Sequence, residues 1–334
     1  MRRPPQRIAV PRIAGRLSAP DIGLVINTAD PYSVDVGEHY IRRRALLPAQ
    51  VLRIELPTTP SLAAADFERL QQAIGAHFGP ATQALALAWV APYAVACQSI
   101  TGSLLLGVDP TLCQNSCGPS RPSPYFNSAS VRPFTDLGVR PAMLLAARDA
   151  EQAKALIDRG VAADGTLAAG ARAPVNALFL ETADTARNVR TWLYPPSGPL
   201  HLYGLDVSTV PAAALNTTPR VLMAVTGSVR VDVAPAPDWV PGALADHLTS
   251  FGGAMRGSHG QGTVLDWIES GATASHGTVS EPCNHLQKFP HPQVLLLHYL
   301  QGSTALEAYW KSVAWPQQGL FVGEPLSAPF ALPR

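Results

Sequence analysis

Two stretches in the last third of the sequence carry the residue types that a hydrolase site needs. The first, Ala245–Gly253 (ADHLTSFGG), combines a carboxylate, an imidazole and two hydroxyls before a pair of glycines. Asp246, His247 and Ser250 have triad chemistry, but Asp246 and His247 are adjacent and point to opposite faces of a strand. His247 shares a face with Thr249, so this histidine with a Thr249 or Ser250 nucleophile is the easier set. The alternative is a purely structural strand end, in which the histidine ring is hydrogen-bonded and the glycines form a turn.

The second stretch, Gly271–His285, brings a thiol and two imidazoles into one segment. A Cys283 thiolate beside His276 would be a nucleophile at neutral pH. His276, Cys283, His285 and His291 are also donors that suit zinc, although their spacing matches no established zinc motif. The third alternative is a structural loop in which Cys283 is buried or disulfide-bonded. We predict no cofactor.

The cysteines bear on the redox environment of the protein. Their number is even, and Cys113 and Cys117 flank a short Gln-Asn-Ser segment in a region rich in proline, glycine and asparagine. This setting predicts a small disulfide loop between Cys113 and Cys117, which would indicate an oxidising compartment. Free thiols are the alternative.

Composition excludes several classes of protein. The formal net charge of the 334 residues is +1, so no general positive field attracts nucleic acid. The longest apolar stretch, Ala84–Cys97, contains Pro92 and is too short to span a bilayer. Met1–Leu17 carries arginines throughout, and no signal peptide is visible in it. The protein therefore stays in the cytoplasm, or its start is wrongly assigned, or its signal was removed.

Short apolar runs alternate with amphipathic stretches along most of the chain. The predicted strands are 23–27, 51–56, 84–89, 142–146, 177–180, 221–225, 242–248, 273–279 and 320–322. The predicted helices are 34–45, 66–78, 149–159, 263–270, 294–300 and 305–313. Since parallel strands need crossover connections, this alternation predicts a three-layer α/β sandwich with a mainly parallel central sheet.

The same pattern predicts the domain organisation. Residues 1–20 form an N-terminal extension, and residues 21–330 form one α/β domain with a loop-rich insertion at about 97–139, where the alternation is lost. Two halves, 21–195 and 196–330, are the alternative.

Several motifs resemble a bacterial protein family of uncharacterised function that carries only a serial number. They are Cys97–Thr101 (CQSIT), Asp246–Gly253 (DHLTSFGG), Gly277–Cys283 (GTVSEPC), Glu307–Val313 (EAYWKSV) and Gly323–Leu326 (GEPL). Members of that family are usually exported, so the resemblance implies a periplasmic or secreted protein with disulfides.

The order of C-terminal elements is distantly similar to gingipain-like cysteine peptidases, which have a caspase-like α/β sheet. The position of their catalytic cysteine falls on Thr249 or Ser250, and their His-Gly pair has no counterpart, because Val221–Val225 runs into Thr226 and Gly227. The resemblance therefore implies a binding or scaffolding protein on a peptidase-like fold, with a peptide or protein as a possible partner. A hydrolase with a Ser, Thr or Cys nucleophile and a histidine base is the alternative.

Overall fold

The computed structural model describes residues 7–169, 173–257 and 259–332. The strands are β1 (Ile22–Asn27), β2 (Val51–Ile54), β3 (Ser61–Leu62), β4 (Ala84–Leu87), β5 (Ala94–Val95), β6 (Gln98–Ser99), β7 (Ala142–Leu144), β8 (Val175–Glu181), β9 (Gly198–Leu200), β10 (Leu205–Pro211), β11 (Val221–Gly227), β12 (Trp239–Leu248), β13 (Ala274–Thr278) and β14 (Gly319–Gly323). The helices are α1 (Pro31–Arg44), α2 (Ala64–His77), α3 (Ile100–Leu106), α4 (Pro110–Gln114), α5 (Pro133–Leu137), α6 (Ala150–Ala163), α7 (Val264–Ser270), α8 (Pro292–Leu300) and α9 (Ala305–Ser312).

Local sequence explains why the first strand and the first two helices form. Every residue of β1 is buried, as expected for a parallel strand that helices cover on both faces. Asp30 caps α1 by accepting a hydrogen bond from the Tyr32 amide, and Pro31 occupies the first helical position. The buried face of α2 consists of Phe67, Leu70 and Ile74, which recur at helical spacing.

The large sheet has eleven strands in the order β2-β1-β4-β7-β14-β13-β12-β11-β8-β10-β9. We call β2, β1, β4 and β7 the first half-sheet and β13, β12, β11, β8 and β10 the second half-sheet. Within each of them the strands are parallel. Between them lies β14, which runs antiparallel to β13 and meets β7 through one residue pair.

The two half-sheets have the same winding. In each, the first strand is followed by its outer neighbour (β2 beside β1, β10 beside β8), and the chain then returns to the inner side, at β4 or β11. Each half-sheet therefore has a point where the strand order reverses, between β1 and β4 and between β8 and β11. Ligands of open α/β sheets bind outside the carboxyl ends of the strands at such points.

The carboxyl ends of both half-sheets meet at one edge of the molecule. The Tyr93 hydroxyl, in the segment after β4, donates a hydrogen bond to the Arg256 carbonyl, in the loop after β12 (3.0 Å). Arg256 in turn donates to the Thr58 carbonyl, in the segment after β2 (3.0 Å).

Helices cover both faces of the sheet. On one face, α1 packs against α6, and Arg159 of α6 donates hydrogen bonds to two carbonyl oxygens at and beyond the end of α7. On the other face, the Tyr309 hydroxyl of α9 donates to the Ala245 carbonyl of β12 (2.9 Å). This arrangement confirms the predicted three-layer α/β class with a mainly parallel sheet. No helix among the described residues is long and apolar enough to cross a bilayer.

The structure adds elements that the sequence pattern did not predict. The insertion at 97–139 contains β6 and three short helices, two of which begin at the side-chain caps Ser99 and Asp109. A small second sheet, β3-β5-β6, lies outside the large one. The outer strands β9 and β10 were also missed, because β10 (LDVSTVP) is only partly apolar and buries alternate residues.

The predicted Cys113–Cys117 disulfide is wrong. Cys97 pairs with Cys113, and Cys117 pairs with Cys283. Cys113 lies in α4, where the carbonyl of its cap, Asp109, accepts a hydrogen bond from the Gln98 amide (2.8 Å), which holds the helix beside Cys97. Cys117 lies beyond the end of that helix and reaches the loop after β13. Both bridges therefore fasten the insertion, one locally and one to the second half-sheet.

Candidate functional site

The segments around positions 250 and 280 lie side by side at the carboxyl edge of the sheet. Strands β12 and β13 are parallel, with Asp246 opposite His276. The Thr278 hydroxyl donates to the carbonyl oxygens of Thr249 (3.1 Å) and Ser250 (2.9 Å). With the backbone hydrogen bond from the Gly253 N–H to the Thr278 carbonyl (2.9 Å), these contacts join the two segments and leave little space between them for a ligand.

One face of this region holds a buried charge network of Arg190, Asp246 and His276. The Arg190 guanidinium lies 2.5 Å from a carboxylate oxygen of Asp246, and Nδ1 of His276 lies 3.5 Å from the other oxygen. Arg190 also donates to the carbonyl oxygens of Thr226 (2.6 Å) and Pro290 (3.1 Å). All three side chains of the network are at most 1% exposed. Arg190 therefore joins the ends of β11 and β12 to the segment before α8.

The network fixes the charge states of its members. Burial alone would raise the pKa of Asp246, but Arg190 and His276 together hold that pKa below its usual value. Burial lowers the pKa of His276, against the opposing effect of Asp246. The carboxylate is thus ionised and paired with Arg190, and the imidazole is neutral.

His276 has a carboxylate 3.5 Å from its Nδ1 atom, too far for a hydrogen bond by the geometry observed, and it has no nucleophile. Its Nε2 atom is buried without a hydrogen-bond partner among the described residues. The ring packs against Phe321 and Phe289, and a Cβ atom added at Gly319 would lie 2.5 Å from Nε2. The free nitrogen therefore faces the backbone of β14 rather than a hydroxyl.

His247 lies on the opposite face, as its adjacency to Asp246 predicts. Trp267 of α7 donates its indole N–H to His247 Nδ1 (2.9 Å), so Nε2 carries the proton and lies 3.2 Å from the Gly262 carbonyl. Burial lowers the pKa of His247, which favours this neutral form. With both ring nitrogens occupied, His247 is not available as a general base.

The two hydroxyl candidates are not activated. Thr249 donates its hydroxyl proton to Gln261 Oε1 (2.7 Å) and accepts a hydrogen bond from Arg187. Ser250 is 8% exposed, and no described histidine lies within hydrogen-bond distance of its hydroxyl. The structure thus brings His247, Thr249, Ser250 and His276 to one edge without forming a nucleophile–base pair.

The remaining candidates lie in the loop after β13 and at the start of α8. Cys283 is in the Cys117–Cys283 disulfide, so a Cys283 thiolate nucleophile is ruled out in this structure. His285 packs near Trp315, and His291 precedes α8. Among the described residues no three His, Cys, Asp or Glu side chains lie close enough together to hold a metal ion.

Sequence reasoning missed Arg190, the cation that neutralises Asp246. It lies in the short 3₁₀ helix Asn188–Leu193, 56 residues before Asp246 along the chain, and nothing in its neighbours marks it. Only the topology, which brings this segment over the ends of β11 and β12, places Arg190 beside Asp246.

A cleft of about 270 Å³ opens at the reversal point of the first half-sheet, and we call it the first cleft. Asp30 and Tyr32 follow β1, Ala147 and Arg148 follow β7, and the loop after β12 contributes Arg256. The Tyr32 hydroxyl accepts a hydrogen bond from the Ala147 amide (2.9 Å) and donates to the Leu145 carbonyl, which fixes one wall. Val90, Met255 and Leu265 supply apolar lining.

Only some of the charged side chains around the first cleft have a partner of opposite charge. Arg148 contacts the carboxylates of Asp266 and Glu269, both at 2.5 Å. Asp30 accepts a hydrogen bond from the α1 backbone. In the described part of the chain, no carboxylate lies within ion-pair distance of Arg256, whose guanidinium donates to a backbone carbonyl. The first cleft is therefore lined by one cation, Arg256, and one carboxylate, Asp30, that form no ion pair with described residues.

A smaller cleft of about 210 Å³ lies at the reversal point of the second half-sheet. Thr182, Thr226 and Asp232 are among its lining residues. The guanidinium of Arg230, which also lines it, donates to the Gly260 carbonyl (3.0 Å). Its lining is mixed in polarity, and Asp246 of the buried charge network lies on β12, the strand beside β11.

Comparison with known proteins gives one weak likeness. No protein-family model matches the chain, and no curated protein matches it in sequence. Among solved structures, the chain is similar to the Arg-specific cysteine proteinase gingipain R, at 13% identity and a TM-score of 0.39, over 95% of this chain and 79% of that one. At this TM-score the likeness transfers no residue role to this chain. The predicted family, and the caspase-like detail of the fold, therefore stay predictions.

Proposed function

We propose that this protein binds a ligand without hydrolysing it, and that the ligand occupies the first cleft. We infer the absence of hydrolysis from one observation, which is that each candidate nucleophile lacks a base. Cys283 is oxidised in a disulfide, the Thr249 proton is held by Gln261, and neither His247 nor His276 contacts a described hydroxyl. Nucleophilic catalysis requires such a contact, directly or through one water.

The geometry of the first cleft supports a small ligand with a carboxylate group. Arg256 is the unmatched cation, and guanidinium groups bind carboxylates through two parallel hydrogen bonds. Met255, Val90 and Leu265 offer an apolar surface for the rest of such a ligand. The position outside the carboxyl ends of β1, β4 and β7 is where open α/β sheets bind ligands.

A hydrolase is the second candidate, and one observation favours it. Ser250 is 8% exposed in the loop that follows β12, so a rearrangement of that loop would present its hydroxyl. Labelling with serine- and cysteine-directed activity probes discriminates the two functions. We expect no labelling of the native protein, and labelling that disappears in Ser250→Ala would establish the hydrolase. Because Cys283→Ala leaves a free Cys117, the thiol control is the double variant Cys117→Ala/Cys283→Ala.

Binding at the first cleft is tested by titrating the protein with small apolar carboxylic acids and with their neutral amides. We expect the acids to bind and the amides not to. Arg256→Met should weaken binding by about 10- to 100-fold, the range for a charge-assisted hydrogen bond. The matched control is Arg42→Met, an exposed arginine in the last turn of α1. Equal binding of acids and amides, or equal loss in both variants, would exclude this site.

The two disulfides support an oxidising location for the protein, either periplasmic or extracellular. All four cysteines are paired within the chain, as is common in proteins outside the cytosol. Determining the redox state of the cysteines in protein isolated from its native cells tests this assignment. Four free thiols would contradict it.

A further inference from the structure

A segment near the N-terminus lies along α8 and α9 and is held by side chains. We call residues 7–17 the strap. In the described part of the chain, no backbone–backbone hydrogen bond joins the strap to another segment. Its backbone instead bonds to four side chains, which we call the amide groove: Asn127, Gln293, Gln301 and Glu307.

Gln301 makes the most specific of these contacts. Its amide N–H donates to the Pro11 carbonyl (3.1 Å), and its amide oxygen accepts from the Ile13 N–H (3.1 Å). One side chain thus binds a donor and an acceptor two residues apart, as a neighbouring strand does. Asn127 donates to the Ala9 carbonyl (2.8 Å) and extends the same recognition. These bonds read the backbone of the strap, so they fit any segment with a compatible register.

Leu17 is the apolar anchor of the strap. Its side chain is 1% exposed, and its amide donates to Glu307 Oε2 (3.2 Å). The other described residues of the strap are all partly or fully exposed. The strap is therefore fixed by one buried side chain and by hydrogen bonds that water can replace.

The floor beneath the strap contains polar groups that gain from hydration. Glu307 is fully buried, and its Oε1 atom has no hydrogen-bond partner among the described residues. Lys311, one turn further along α9, is also buried; its Nζ atom lies 5.2 Å from the centre of the Tyr125 ring and has no hydrogen-bond partner in the described part of the chain. Since unpaired buried polar groups are costly, releasing the strap would relieve part of that cost.

We propose that the amide groove is a receptor for an extended peptide, filled in cis by the strap and open to an extended segment of a partner protein. The partner segment must present a free backbone N–H and C=O in the register of residues 11 and 13, and a leucine-sized apolar residue at the place of Leu17. This surface is separate from the first cleft and does not depend on the function proposed there.

The test uses a labelled peptide with the sequence of residues 7–18 and a full-length Leu17→Asp variant. In this variant the strap loses its apolar anchor while the groove keeps its side chains. We expect the peptide to bind the variant more tightly than the native protein, in which the strap competes. A peptide N-methylated at Ile13, which lacks one donor, should bind about tenfold more weakly. Adding Gln301→Ala to the variant should remove the difference between the two peptides.

Two outcomes would overturn the proposal. One is no binding of the peptide to a folded Leu17→Asp variant, and the other is equal binding of the methylated peptide. If that variant does not fold, amide hydrogen exchange of the native protein decides. We expect the amides of Ile13 and Leu17 to exchange faster than those of α8 and α9. Exchange of all these amides at one common rate would mean that the strap is not separable, which contradicts a receptor role.

Discussion

The two half-sheets have the same winding but use their carboxyl ends differently. In the first half-sheet, the reversal point between β1 and β4 opens into a cleft with an unmatched arginine, Arg256. In the second, the reversal point opens into a smaller cleft, and the strand ends carry the residues with catalytic chemistry, but Arg190, Asp246 and His276 are at most 1% exposed. Reactive residue types at a strand end therefore do not by themselves make a site. Whether such residues form a site depends on their exposure to solvent and on the hydrogen-bond or ion-pair partner of each polar atom.

The comparison also separates two kinds of ion pair. The pair between Arg190 and Asp246 is sealed between the sheet and the segments that cover it. The pair between Arg148 and Asp266, at the first cleft, joins side chains that are 46% and 28% exposed. Breaking the first pair leaves a buried charge that is poorly solvated. Breaking the second pair leaves side chains that water solvates.

The largest expected effect concerns the bridge between the two regions. The Cys117–Cys283 disulfide closes a sequence separation of 166 residues, and Cys97–Cys113 closes 16. The chain-entropy relation gives stabilisation of about 5 and about 3 kcal/mol for loops of these lengths. Replacing both cysteines of each pair by serine should therefore lower the free energy of unfolding more for the long loop. Chemical denaturation of the two double variants measures this, and a larger loss for the short loop would contradict it.

The second prediction breaks the buried charge network. Arg190→Met leaves Asp246 ionised and unpaired in the interior, which should cost about 3–5 kcal/mol of unfolding free energy. The double variant Arg190→Met/Asp246→Leu removes both charges and should recover most of that loss. Urea denaturation of both variants measures the effect. A double variant as unstable as the single one would mean that packing, rather than charge, holds this region together.

The third prediction concerns acid and applies to the second half of the chain. Burial lowers the pKa of His247 and His276, lowers that of His291 to about 4, and lowers that of His298 to about 3. The folded protein keeps these rings neutral below pH about 6.5, where the unfolded chain is protonated. Unfolding therefore takes up protons, and stability falls as the pH drops from about 6.5 towards 4.

Calorimetry at pH 5 in buffers of different ionisation enthalpy measures this proton uptake. We expect a net uptake of less than one proton per histidine, since Glu307, whose pKa burial raises, releases part of a proton on unfolding. Unfolding without any uptake would show that the four histidines are already charged or exposed in the folded protein.

Much of the fold could be predicted because it depends on local patterns. The continuous apolar run of β1 and the spacing of Phe67, Leu70 and Ile74 in α2 mark a buried strand and an amphipathic helix. The outer strand β10 escaped because only alternate positions are buried, and its sequence, with an aspartate and a proline, has little strand character.

The site was less predictable because it depends on contacts between distant segments. That Asp246 and His247 point to opposite faces follows from strand geometry alone. The hydrogen bond from Trp267 to His247 depends on the placement of α7, and the pairing of Arg190 with Asp246 depends on the placement of the 3₁₀ helix Asn188–Leu193. The cysteine pairing failed for the same reason, because α4 holds Cys113 beside Cys97 rather than beside its near neighbour in sequence.

The smallest expected effect on the free energy of unfolding is at the exposed ion pairs of Arg148. It provides the contrast to the buried pair of Arg190. Arg148→Met removes contacts with Asp266 and Glu269, side chains that water already reaches, so the loss should be about 0–1 kcal/mol. Because exposed pairs are screened by salt, this loss should vanish at 1 M salt, whereas the loss in Arg190→Met should persist there. Unfolding free energies of both variants at low and high salt measure the contrast. If both losses respond equally to salt, the Arg190–Asp246 pair is hydrated, and the distinction between a sealed and an open carboxyl edge fails.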